Sequence, residues 1–208
     1  SRVNSIIVHA QSEAQLYQDV CTAVAEAGRF EGAVVIAVDW MLRTTRMIAG
    51  VGGFFHSAPA VFGNEDGAIP LAPNTLANKA LLEGVCLVSN DYRHDESLPL
   101  RLREIATQCN VVAACAIPLK RSGQIVAVLS LVSSEVGFFT PEIVDLVEEV
   151  GRDVSFALDN IERMQQKQRA EGALIKSEHH LRVTLHSIGD AVLVTDAAGR
   201  VTMMNPVA

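Results

Sequence analysis

From Glu142 to His186 the chain contains no proline, and its only glycines in that stretch are Gly151 and Gly172. A helix is therefore free to run through all of it, since single glycines weaken a helix without ending it. Thr140-Pro141-Glu142 supplies an N-cap, a proline at the first helical position and an acidic first turn, which fixes where that helix begins. At 1.5 Å per residue it would span almost 70 Å, roughly, which is more than one small domain can cover. Ile143, Val147, Val150, Val154, Ala157, Ile161 and Met164 repeat at alternating steps of four and three, the spacing of a heptad seam. Leu174, Leu181, Leu185 and Ile188 resume a seam in a different register, after the polar run Gln165-Gln166-Lys167-Gln168-Arg169. The seam from Ile143 is expected to pack in part on the chain's own sheet. For the stretch 162–182 the expected partner is a second copy of the same helix in a parallel dimer. Val154, Ala157, Ile161, Met164, Leu174, Leu181 and Leu185 are the residues expected to carry dimerisation and signalling.

Upstream of that helix the pattern is mixed. Ser12 is placed to cap a helix over 13–28 that carries Ala14, Leu16, Val20, Cys21, Val24 and Ala27 on roughly one face. Ala33 to Val38 is an apolar, largely β-branched run suited to a central strand, and Thr44 to Val51 is its hairpin partner. Gly52 to Pro73 is dense in glycine, proline and phenylalanine and reads as a long loop without regular structure. A short helix over 74–82, a strand over 84–89 and a helix over 99–109 follow. Val111 to Leu119 and Gln124 to Val132, joined by Lys120-Arg121-Ser122-Gly123, read as a hairpin of two long strands. Val192 to Thr195 and Val201 to Pro206, around Asp196-Ala197-Ala198-Gly199-Arg200, read as a second hairpin. A hairpin alone is marginal in water, so a further domain is expected to start there.

Composition narrows the partners. With 17 Lys and Arg against 24 Asp and Glu the net charge is -7, which argues against nucleic acid or an anionic membrane as the main partner. No stretch offers the roughly 20 apolar residues of a membrane span, and the first residues lack a secretory core, so a soluble, cytoplasmic fragment without membrane contact is expected. The four cysteines, Cys21, Cys86, Cys109 and Cys115, show no C-x-x-C pair and no histidine at ligand spacing, so neither a zinc site nor a disulfide framework is indicated. His179 and His180 are adjacent on a helix and cannot chelate together. No nucleophile elbow, zinc-protease, P-loop or dinucleotide motif is present, and no enzymatic activity is expected of these residues.

The order of helix, strand pair, long loop, short helices, central hairpin and long exit helix resembles a GAF domain over 3–160. Asn90-Asp91-Tyr92, Ala116-Ile117-Pro118-Leu119 and Phe139-Thr140-Pro141-Glu142 carry that resemblance. The run from Ser187 to Val201, with Asn205 after it, looks like the opening of a PAS domain. The resemblance implies an α+β fold, an antiparallel sheet with helices packed on it followed by a long coiled-coil helix. It divides the chain into a sensory domain at 1–160, a signalling helix at 161–187 and a PAS fragment at 188–208. It also implies a place in bacterial signalling, upstream of a cyclic-di-GMP or histidine-kinase output.

Trp40, Phe54, Phe55, Phe62 and Tyr92 fall at strand ends or in loops that would roof one face of the sheet, where they read either as a small-molecule pocket or as core. Trp40, Phe54, Phe62, Asn90, Asp91, Tyr92 and Cys115 are the candidate ligand residues. Asp91, His94, Asp95 and Glu96 read as a solvated loop, and no metal is expected. Asn78-Lys79 begins the cyclic-nucleotide motif of some GAF domains, but Ala80-Leu81-Leu82-Glu83 does not continue it. Tetrapyrrole attachment lacks the histidine that should accompany a cysteine. The cofactor is unknown. One GAF subgroup reduces free methionine sulfoxide through cysteines, which makes Cys86, Cys109 and Cys115 the residues of an alternative, enzymatic reading, and a ligand-free dimerising spacer is a third.

Overall fold

The computed structural model describes residues 10, 12–27, 30–57, 62, 67–187, 190–205 and 207–208. The chain divides into two compact units, Ser1–Ile161 and Glu162–Ala208.

The first unit is built on a six-stranded antiparallel sheet. Helix α1 (Glu13–Ala27) precedes β1 (Gly32–Asp39) and β2 (Thr44–Val51), and then come α2 (Gly53–His56), β3 (Ile69–Pro70), α3 (Leu76–Glu83), β4 (Leu87–Ser89), α4 (Leu100–Gln108), β5 (Ala113–Arg121), β6 (Gln124–Ser133) and α5 (Pro141–Ser187). The strands lie in the order β3-β2-β1-β6-β5-β4. β1 and β6 are central and covered on both faces, which is why each reads as a nearly unbroken apolar run instead of an alternating one.

Alternation still sorts the side chains. Ala113, Cys115, Ile117 and Leu119 of β5 enter one core with Leu16, Tyr17, Val20, Cys21 and Val24 of α1 and with Val147, Val154, Ala157, Leu158 and Ile161 of α5. Ala114 and Ala116 face the other way, into a core made with α2, α3, α4 and the ring cluster described below. The fold is thus a helix–sheet–helix sandwich. Ser12 caps α1 through its Oγ, which accepts from the Gln15 N–H at 3.3 Å. Gly28, the expected end of that helix, lies outside the described residues.

Two expectations need correction. The segment from Gly52 to Pro73 does hold regular elements, α2 and β3. Gly52 turns the chain at φ 97°, a conformation open to glycine, and Phe54 and Phe55 then bury, so one helical turn is anchored by its aromatics despite the composition. The seam on α5 is also corrected in part. Val154, Ala157 and Ile161 are enclosed by the chain's own sheet and α1 in a single copy, leaving at most 4% of each exposed. They pack inward and present nothing to a second chain. Met164, Leu174 and Leu181 are more than half exposed, and the side chain of Leu185 lies outside the described residues.

The second unit contains the end of α5 and the hairpin β7 (Leu193–Thr195) and β8 (Val201–Met204). Asp196 closes its turn by accepting from the Ala198 and Arg200 N–H groups, with Gly199 at φ 78°. Asn205 latches the open end: its Oδ1 accepts from the Val192 N–H at 2.9 Å and its Nδ2 donates to the Asp190 carbonyl at 2.8 Å.

Candidate functional site

The structure places the seven candidate ligand residues in five different settings. Phe54 and Phe62 come together with Tyr92 and Phe55 in one cluster of edge-to-face rings. Phe54 lies 5.2 Å from Phe55, 5.5 Å from Phe62 and 6.1 Å from Tyr92, centroid to centroid. All four rings are buried, and burial holds the Tyr92 phenol well above its usual range. They lie on the face of the sheet opposite α5, where the sequence allowed either a pocket or core.

Trp40 stands apart at the β1–β2 turn. Its indole Nε1 donates to the Ile125 carbonyl at 2.7 Å, pinning that turn to β6. Asp91 and His94 form an exposed pair, with Nδ1 2.9 Å from Oδ1. Among the described residues, no group of three or more His, Cys, Asp or Glu is arranged to hold a metal ion.

Asn90 acts as a clamp. Its Nδ2 donates to the Phe139 carbonyl and its Oδ1 accepts from the Phe139 N–H, both at 3.0 Å, so one side chain ties the end of β4 to the turn that starts α5. Phe139 and Phe138 then pack on Phe30. Asn90→Ala leaves two polar backbone groups partly buried and unpaired, and we expect a loss of about 1–3 kcal/mol in chemical denaturation. Asn90→Asp, which can accept but cannot donate, should recover only part of it.

Cys115 lies on the α5 face, away from the rings. Its Sγ is 3.6 Å from that of Cys86, and both thiols are free. Cys86 lines a groove of about 620 Å³ between α5 and the β4–β5 side of the sheet, bounded also by Ile117, Lys120, Glu148, Gly151 and Phe156. The groove floor is held by α5. Ser155 Oγ accepts from the Lys120 N–H at 3.0 Å and the Asp159 carboxylate accepts from the Ser122 N–H at 2.6 Å, so the β5–β6 turn is stitched to the helix. A Cβ at Gly151 would lie 2.5 Å from Ile117 Cγ2. Gly151 is therefore what lets α5 approach the sheet this closely. In the sequence it reads as a tolerable interruption of a helix, because no local pattern distinguishes a contact glycine from an incidental one. Proximity of Cys86 to Cys115 was likewise hidden, since it depends on the β4–β5 register that sets Val88 opposite Cys115.

An α+β domain is the class these features define: a curled antiparallel sheet, an aromatic cluster on one face and a long exit helix packed on the other. A GAF-domain family profile matches residues 10–159, and the chain belongs to that family. Among curated proteins none matches the chain significantly. The chain is similar in fold to the free methionine-R-sulfoxide reductase of Neisseria meningitidis solved with its substrate, at TM-score 0.63 and 13% identity over 78% of this chain and 87% of that one. It is also similar to the GAF region of a membrane protein of Geobacter sulfurreducens described as putative, at TM-score 0.58 and 18% identity over 76% and 98% of the two chains. A free methionine sulfoxide reductase of Staphylococcus aureus in complex with substrate gives TM-score 0.60 at 13% identity over 76% and 91%. At these identities the likeness speaks for the fold alone. No helix among the described residues is long and apolar enough to cross a membrane.

Proposed function

We propose that the chain is a non-enzymatic sensory module that dimerises through the distal part of α5 and passes a change in its GAF domain along that helix to a PAS-type segment. The observation that carries this reading is the contrast along α5: Val154, Ala157, Leu158 and Ile161 are enclosed by their own sheet, whereas Met164, Leu174, Ile175, Leu181 and Val183 stay exposed, between 52% and 67%. Apolar side chains repeated along an exposed helix favour a second helix as cover. Gln165 to Gly172, where the seam changes register, is the segment at which two packings would lie close in energy, and a ligand shifts them only by its differential affinity for each. The β7–β8 hairpin supports the PAS reading, because Leu193, Val201 and Met204 are exposed in the way that further strands would cover. A cyclic-di-GMP or histidine-kinase output in the bacterial cytoplasm is the context this reading implies, and any ligand is a small molecule held by the GAF unit.

Sedimentation equilibrium tests the dimer. The wild-type chain should sediment at twice its monomer mass, and Leu174→Glu/Leu181→Glu should sediment as a folded monomer with its near-ultraviolet circular dichroism retained. A wild-type monomer at high concentration would remove this reading.

A second reading, free methionine sulfoxide reduction, is favoured by the paired thiols of Cys86 and Cys115. A reductant-coupled assay with Cys115→Ser as control decides it: turnover lost in the variant would favour the enzyme.

A further inference from the structure

Cys86 emerges from the left-handed turn at Gly84, which ends α3, and Cys115 sits within β5. Val88 is the direct partner of Cys115, so Cys86, two residues before it, lies on the adjoining diagonal of the same face. The two sulfurs are 3.6 Å apart. Their exposure differs: Cys115 is fully enclosed, whereas Cys86 is half-buried and lines the groove under α5. Their chemistry differs in the same sense. The two thiols share a hydrogen bond in which either could donate; it lowers the Cys86 pKa, against the opposing pull of burial and of the Glu148 carboxylate, and together with burial it raises that of Cys115. One thiol is thus accessible from the groove, with an enclosed thiol in contact behind it, the asymmetry that stepwise thiol oxidation requires.

We propose that Cys86 and Cys115 form a peroxide-oxidisable dithiol site, separate from the aromatic face of the domain and opening on the groove beneath α5. The Cys86 thiolate attacks one oxygen of hydrogen peroxide: an S–O bond forms, the O–O bond breaks, and the departing hydroxide takes a proton and leaves as water. Cys115 then attacks the Cys86 sulfur: an S–S bond forms, the S–O bond breaks, and the Cys115 proton leaves with the hydroxide as a second water. The two thiols give up two electrons and the peroxide accepts both. Closing the sulfurs to about 2.05 Å needs a movement of about 1.5 Å, on the scale of a side-chain rotation with a small shift of the backbone at 84–86. β4 is a three-residue edge strand, so its resistance to that shift is small. The disulfide would draw the end of α3 toward β5 directly below Glu148 and Gly151, on the helix that leaves the domain. The proposal does not depend on the dimer.

The test treats the intact wild-type chain with stoichiometric hydrogen peroxide, alkylates the remaining thiols and maps the peptides by mass spectrometry. A Cys86–Cys115 disulfide should form first and reverse with dithiothreitol, with Cys21 and Cys109 still alkylated. Cys115→Ser should trap a sulfenic acid at Cys86 that dimedone labels, and Cys115→Ala serves if the serine disturbs the core. The wild-type map stands without either variant. Oxidation of Cys109 ahead of Cys86, or reaction of Cys86 no faster than free cysteine, would overturn the proposal. So would a disulfide formed with methionine sulfoxide and not with peroxide, which would make the pair a reductase couple instead.

Discussion

Phe54→Ala is expected to destabilise the first unit by about 3–5 kcal/mol, the cost of removing a fully packed aromatic from a core. Phe54 touches three other rings, Phe55, Phe62 and Tyr92, and is only 3% exposed. Its removal forfeits the burial of its own surface and the edge-to-face contacts of its neighbours together. It also leaves a void that α2, a single turn, is too short to collapse around without losing Phe55 as well. Chemical denaturation followed by tryptophan fluorescence checks this, since the lone tryptophan, Trp40, sits at the β1–β2 turn of the same unit with its indole bonded to β6. Phe54→Leu, which refills most of the volume, should cost markedly less. The same void gives the aromatic face a second use. An apolar small molecule added to Phe54→Ala should restore part of the lost stability if the rings stand where a ligand would otherwise lie, and the melting shift at known ligand concentration gives its affinity.

Gly151→Ala should also destabilise the first unit, by about 1–3 kcal/mol from overpacking. Alanine in a helix interior gains about 1 kcal/mol over glycine. At this position a contact of 2.5 Å with Ile117 Cγ2 opposes that gain, and the contact wins because Ile117 is itself held in the core with α1 and β6. Ile117→Leu removes the Cγ2 branch at nearly constant volume, so the double variant should recover most of the loss, a coupling that a double-mutant cycle measures. Gly172→Ala makes the internal comparison. A Cβ there meets nothing within 4 Å, so the substitution should stabilise α5 by up to about 1 kcal/mol, seen as increased helicity. Equal behaviour of the two glycines would contradict the close seating of α5 on the sheet.

These residues show where the sequence is informative. The start of α5 was legible because Thr140, Pro141 and Glu142 act locally: the Thr140 carbonyl accepts the first helical hydrogen bond, from Val144 N–H, whatever the rest of the chain does. The β5–β6 hairpin was legible for the same reason, with Ser122 and Gly123 taking up positive φ at the turn. The heptad spacing from Ile143 to Ile161 was visible, but a stripe of that period satisfies a flat sheet as well as a second helix. Only the packing shows that Val154, Ala157 and Ile161 meet the sheet. Asn90 could be singled out at the end of a strand, but its partner Phe139 lies 49 residues away, so its clamp could not be read locally. Cys86, Cys115 and Gly151 acquire their meaning from contacts across elements, which neither composition nor periodicity encodes.

The central claim is that two copies pair in parallel and in register through the distal stretch of α5. Disulfide trapping at Leu181→Cys tests it most directly, because a parallel, in-register pair brings residue 181 of each copy together at the helix interface. The account predicts rapid formation of a covalent dimer at that position under mild oxidation, with Arg182→Cys and the wild-type chain cross-linking far more slowly. Equal and slow cross-linking of all three would contradict it.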